Sequence, residues 1–162
     1  MFETLGSFIL GKALEFLPAW IARRIVSLKK VADQIEIDLR SSNPIDISFG
    51  SEVPRVSIYF RISNLSSVGV TLDRMLVDVW VGQPTLRGSV LQRYHLPKRT
   101  SDDNVYFASS LSIPQQEQIK KRVDGQLLSS SVRINIVAYF DSKIGIVCLE
   151  KTLEQRDVPC KH

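Results

Sequence analysis

Hydrophobic positions recur along this chain with two different periods. From residue 1 to 33 the spacing is helical. Phe2, Leu5, Ile9, Ala13, Phe16, Leu17, Trp20 and Ile21 succeed one another at intervals of three and four, which gathers them on one broad helical face. Phe8, Leu10 and Leu14 widen that face, while Lys12 and Glu15 mark the polar side. Pro18 removes a backbone donor and crowds the preceding turn, so the segment is expected to split into two helices or to kink there.

From Gln34 onward the period is two. In QIEIDLR, Ile35, Ile37 and Leu39 alternate with Glu36, Asp38 and Arg40; in RVSIYFRIS, Val56, Ile58, Phe60 and Ile62 alternate with Arg55, Ser57, Tyr59 and Arg61. RMLVDVWVG and SVRINIVAYF are more continuously apolar, and GIVCLEKTLE closes the set. Turn residues bound each run: Asn43-Pro44, Gly50-Ser51, Asn64 to Ser67, Gly82 to Pro84 and Asp141 to Lys143. Such runs predict a mainly β domain, an antiparallel β-sandwich over residues 34–162. One interruption, IPQQEQIKKRVDG, carries Ile119 and Val123 four apart between Pro114 and Gly125, and predicts a short helix crossing between the sheets. Trp80 is expected to fill the core between the sheets. The Asn64 amide is expected to hold its turn by bonding to the backbone.

The amino-terminal segment, residues 1–33, raises the membrane question. A secretory signal opens with positive charge, whereas Glu3 is the first charged residue here. Leu5 to Ala22 approaches the length of a spanning helix but is broken by Lys12, Glu15 and Pro18. Beyond it lies a basic cluster: Arg23, Arg24, Lys29 and Lys30. An apolar face with Trp20 beside such a cluster suits an amphipathic helix lying on an anionic membrane surface. On that reading Phe8, Phe16, Leu17 and Trp20 insert while the four cations contact lipid charge, each worth about 1 kcal/mol near the surface. A helix packed on the domain or on a protein partner is the rival reading, and a spanning helix the third.

Composition narrows the rest. With 162 residues, 44% hydrophobic and 23% charged, the chain has the make-up of one folded domain. A net charge of +4 is too small to imply nucleic acid by itself. The basic groups Arg93/Lys98/Arg99 and Lys120/Lys121/Arg122 read as solvated faces, because no RNA- or DNA-binding signature accompanies them. Cys148 and Cys160 are too few for a zinc site or a disulfide framework. Cys148, inside an apolar run, is expected to behave as a small hydrophobe in a reduced, cytoplasmic setting.

The order of features resembles the late-embryogenesis-abundant group 2 proteins, whose domain is also called the water-stress and hypersensitive-response (WHy) domain. The carriers are a first strand leading into Asn43-Pro44, a strand ending in Ile62-Ser63-Asn64, and an apolar return at Val70 and Leu72. LVDVWVGQPTL, the alternating VYFASSLSI, the hairpin VRINIVAYFDSKIGIVCLEK and the closing Pro159-Cys160 complete the set. The resemblance spans about residues 34–160 and implies an immunoglobulin-like sandwich of about seven strands with one short helix. It also implies a non-enzymatic, stress- or membrane-linked role.

Catalytic chemistry finds little footing. His95 with Asp102 and Asp103 could form a base and its orienting acid, yet the other histidine is His162 and no Gly-x-Ser-x-Gly elbow exists. His95 therefore reads as a solvated loop residue. Asp102-Asp103-Asn104 reads as a turn rather than a calcium site, since the spaced oxygen ligands of a calcium loop are missing. The expectation is a binding or protective domain with no catalytic residue, cofactor or metal, associated peripherally with a membrane through its amino-terminal helix. The alternative is a protein-interaction or assembly module in which that helix mediates homo-oligomerisation or docking.

Overall fold

The computed structural model describes residues 17–50 and 52–161, with Arg23 described by its backbone alone. Phe8, Phe16 and the first part of the expected amino-terminal helix lie outside those residues. After Pro18 come two short helices, α1 (Ala19–Ile25) and α2 (Leu28–Ala32). Pro18 sits at the start of α1, where its missing N–H costs nothing. Its carbonyl accepts the N–H groups of Ile21 and Ala22 at 3.0 and 3.1 Å. Ser27 opens α2 by accepting the Lys30 N–H on its hydroxyl at 3.2 Å.

The rest of the described chain is mainly β. Its strands are β1 (Ile35–Leu39), β2 (Ile45–Ser48), β3 (Arg55–Asn64), β4 (Val70–Val81), β5 (Thr85–Val90), β6 (Tyr94–Leu96) and β7 (Thr100–Ser110). After α3 (Ile113–Lys120) come β8 (Val123–Asp124), β9 (Leu127–Leu128), β10 (Val132–Ser142), β11 (Gly145–Gln155) and β12 (Cys160–Lys161). One sheet is centred on β3, which pairs antiparallel with β7 over its whole length. Its other edge is shared end to end by β1, which meets Phe60–Asn64, and β2, which meets Arg55–Ile58. β12 adds itself parallel to β2, which makes this sheet mixed. The second sheet runs β11-β10-β4, and the far edge of β4 is again shared by two short strands, β5 and β6.

Both sheets and both amino-terminal helices feed one buried apolar cluster. Ile58, Phe60 and Ile62 enter it from β3, Val77, Val79 and Val81 from β4, and Ile134, Ile136 and Phe140 from β10. Ala22, Val26 and Val31 close it from α1 and α2. α3 comes after β7 in one sheet and precedes β10 in the other, so it crosses between sheets as expected, but it stops at Lys120, and Val123 belongs to β8 rather than to the helix that Gly125 was expected to end. The Ser112 N–H donates to Gln115 Oε1 at 2.9 Å at its start, and Ile119 seats it in the core.

Three expectations need correction. Trp80 is not in the core. Val77, Val79 and Val81 point inward, and the two-residue period of a strand then turns Trp80 outward, where it is partly exposed. The same parity exposes Cys148, whose neighbour Val147 is the buried one. Asp102-Asp103-Asn104 is not a turn but a bulge within β7: Phe60 opposes Val105 and Ile62 opposes Asp102, so one extra residue is accommodated. The Asp102 carboxylate steadies it by accepting the Asn104 N–H at 2.8 Å.

Candidate binding surfaces

The predicted membrane- or partner-binding residues divide along α1 and α2. Leu17 is partly buried against the core, on the side of Ala22, Val26 and Val31. Trp20 lies on the opposite side, 63% exposed, with Ile25 and Leu28 also in solvent. The Arg24 guanidinium stands 5.8 Å from the centre of the Trp20 ring, within cation–π range. Lys29 and Lys30 are exposed in the last turn of α2, where a helix C-terminus favours positive charge. The helical pair is thus packed on the domain by one face and presents apolar and cationic side chains on the other. Phe8 and Phe16, the other two predicted insertion residues, lie outside the described residues, as does the Arg23 side chain.

No helix among the described residues is long and apolar enough to cross a membrane, and this says nothing of crossing by strands. His95 lies in β6, exposed, with Nδ1 3.2 Å from the Thr71 hydroxyl. Asp103 pairs instead with Arg61, at 3.4 Å. No group of three or more metal-binding side chains is present among the described residues. Both cysteines are free thiols. Burial, and then the negative Asp46 nearby, push the Cys160 thiol above its usual range.

Sequence reasoning missed the outward face of the sheet built on β4 and β10. The strand register lays it out in rows. Thr152, Asn135, Asp78 and Arg87 form one row, joined by a Thr152–Asn135 hydrogen bond of 3.0 Å and an Asp78–Arg87 ion pair of 3.3 Å. The next row runs Glu154, Arg133, Trp80 and Thr85. Beside it opens a cleft of about 560 Å³ lined by Trp80, Gly82, Ser130, Ser131, Arg133 and Asn135. Gly82 takes φ +69°, and a Cβ there would come within 2.9 Å of the Arg122 side chain, which lies along that backbone. Ser129 fixes the neighbouring loop by donating its N–H to the Arg122 carbonyl at 2.8 Å. The only signal in the sequence was strand parity around VDVWVG, and it was overridden by the habit of burying tryptophan.

The outward face of the other sheet carries several side-chain contacts. Tyr59 and Tyr106 stack at 5.0 Å, Arg40 lies 4.0 Å over the Tyr59 ring, and Tyr106 meets the Ser57 hydroxyl at 3.2 Å. Lys161 reaches Asp46 at 2.9 Å. A second cleft, of about 340 Å³, is lined there by Arg40, Asn43, Asp46, Tyr59 and Lys161.

No protein-family model matches this chain, and no curated protein does. Solved structures of similar shape exist. The Northeast Structural Genomics Consortium target SoR45 aligns over 75% of this chain and 85% of its own, with 13% identity and a TM-score of 0.49. A protein from Archaeoglobus fulgidus aligns over 75% and 94%, with 8% identity and a TM-score of 0.43. The solution structure of AT1g01470 from Arabidopsis thaliana aligns over 75% and 77%, with 9% identity and a TM-score of 0.33. Likeness at this level carries no functional argument.

Proposed function

We propose that this chain is a non-enzymatic binding domain, an immunoglobulin-like β-sandwich held at an anionic membrane surface by its amino-terminal helices. Support for the sandwich is that each split edge behaves as one lane: β1 with β2, and β5 with β6. Counted so, the sheets contribute four lanes each around one core, one of the eight being the two-residue β12 beside β2, which is close to the about seven strands expected of that architecture. The assignment to the late-embryogenesis-abundant group 2 type, with its stress-linked and protective role, rests on the order of sequence features alone.

The observation that carries the membrane reading is the Trp20–Arg24 pair. A tryptophan 63% exposed is unusual in a domain with ample core, and an arginine over its ring suits the boundary between headgroup and hydrocarbon. Lys29 and Lys30 add charge beside it. Peripheral association from a cytoplasmic setting is part of this reading. Because Ala22, Val26 and Val31 belong to the core, the test keeps the helices and changes only their outer face. The full chain should co-sediment with phosphatidylserine vesicles at low salt and not with phosphatidylcholine. Trp20→Ala should weaken binding, and a combined Arg24→Glu, Lys29→Glu, Lys30→Glu variant should lose it more than tenfold, at about 1 kcal/mol per cation. Unchanged binding by the triple variant removes the electrostatic basis of the proposal. Failure to pellet, together with a concentration-dependent oligomer that Trp20→Ala dissolves, favours the assembly reading.

A further inference from the structure

We infer that the cleft beside Trp80 is a binding site for a small planar organic anion, a carboxylate or phosphate monoester on a flat body. Three observations converge on it, and none involves the amino-terminal helices. First, the cleft holds about 560 Å³, a volume within the range of small-molecule sites. Second, its lining contains no carboxylate: the polar groups are Ser130, Ser131, Arg133 and Asn135. Third, Trp80 is partly exposed on the sheet surface directly opposite Arg133 across the strand pair, so a flat ring and a guanidinium stand side by side.

The sign of the ligand comes from the inventory. A neutral sugar site needs acceptors for hydroxyl hydrogens, and carboxylates normally supply them. Here the one charged group in the lining is a donor, Arg133. Arginine presents paired N–H groups that match a carboxylate or phosphate edge. Glu154 faces Arg133 in register from β11, but its Oε1 is also drawn to Arg156 at 3.9 Å, so it only partly neutralises the guanidinium. Asp78, the next carboxylate on the face, is engaged by Arg87 at 3.3 Å. An anionic group against the Arg133 guanidinium places the attached flat body over the Trp80 ring, where stacking is favourable for any planar system.

The experiment uses intrinsic fluorescence, since the chain has only two tryptophans. A full-length Trp20→Phe protein reports Trp80 alone. Benzoate, phenyl phosphate, inorganic phosphate and benzamide, the neutral isostere of benzoate, are titrated separately. Saturable quenching by benzoate or phenyl phosphate, with benzamide at least tenfold weaker, is the expected result. The stronger of the two ring compounds identifies the anionic group, and weak binding of inorganic phosphate shows that the flat body contributes. Arg133→Gln should weaken the preferred ring anion about tenfold with an unchanged melting temperature; tenfold corresponds to about 1.4 kcal/mol. Equal binding of benzoate and benzamide, no saturable response to any probe, or full affinity in a folded Arg133→Gln protein would overturn the inference.

Discussion

Asn64 shows how much one side chain can hold. It is fully buried, and its Nδ2 lies 2.9, 3.1 and 3.0 Å from the carbonyl oxygens of Val68, Leu96 and Pro97. Its Oδ1 accepts the Ser66 N–H at 3.1 Å and the Ser66 hydroxyl at 2.7 Å. One amide thereby joins the turn after β3 to the connection after β6. Asn64→Leu keeps the branched shape with bulkier methyl groups and leaves these groups unmatched in a buried place, and should cost about 3 kcal/mol in urea unfolding. A loss under about 1 kcal/mol would mean that the loops relax to satisfy themselves. The turn role of this residue was legible in the sequence, because Asn after an alternating run has few other uses. Its second tie, to Leu96 and Pro97, was not, since those residues are more than thirty positions away and nothing local announces the contact.

Among the elements, β1 and β3 were readable from their alternation, whereas β5, β6 and the first part of β7 were not. In β4 the inward positions run Val70, Leu72, then Met75, Val77, Val79 and Val81. The step of three between Leu72 and Met75 breaks the period, so the sequence suggested two separate runs. The structure keeps one strand and skips Asp73 in its register with β10. TLRGSV, which forms β5, carries too little alternation to stand out, yet it packs across β7. Gly88 in β5 points inward without a side chain, and a Cβ there would lie 2.8 Å from the Phe107 ring. Gly88→Val should therefore force Phe107 aside and lower stability by about 1–3 kcal/mol by thermal or denaturant unfolding. Restoring space with Phe107→Leu in the same protein should recover part of that loss; no recovery would point to the β5 backbone rather than to the ring.

Taken whole, the molecule joins its helices to its sheets more closely than the change of period at residue 34 suggests. Ala22, Val26 and Val31 are each no more than 5% exposed and contact the shared core. Deleting residues 1–33 should then remove about 4 kcal/mol of apolar burial, at about 1–2 kcal/mol for each such side chain. In a domain of this size that lowers the melting temperature by roughly 10 °C. An unchanged melting temperature would make the helices an independent attachment. Periodicity marked residues 19–32 as helical, but it did not foresee the break at Val26–Ser27 and gave no view of which faces would be covered, since both carry apolar residues. The same limit applied to Trp80, where residue identity outweighed the parity that placed it.

The split edges have a bearing on how this fold can change in length. β1 and β2 each take register from β3, and β5 and β6 each take register from β4. Extra residues at the corner between two half-strands therefore need not shift either pairing, and doubling a corner's length costs only about 0.6 kcal/mol in closure entropy. The corner after β1 is tied by Arg40, whose guanidinium donates to the Ser42 and Asn43 carbonyls at 2.8 and 3.1 Å. At the corner after β5, Leu91 is 71% exposed, which leaves the bond between Leu91 and Gln92 open to insertion. A peptide grafted there would be carried by a rigid frame, making this corner a natural place for relatives to differ in length and for a designer to display a foreign loop.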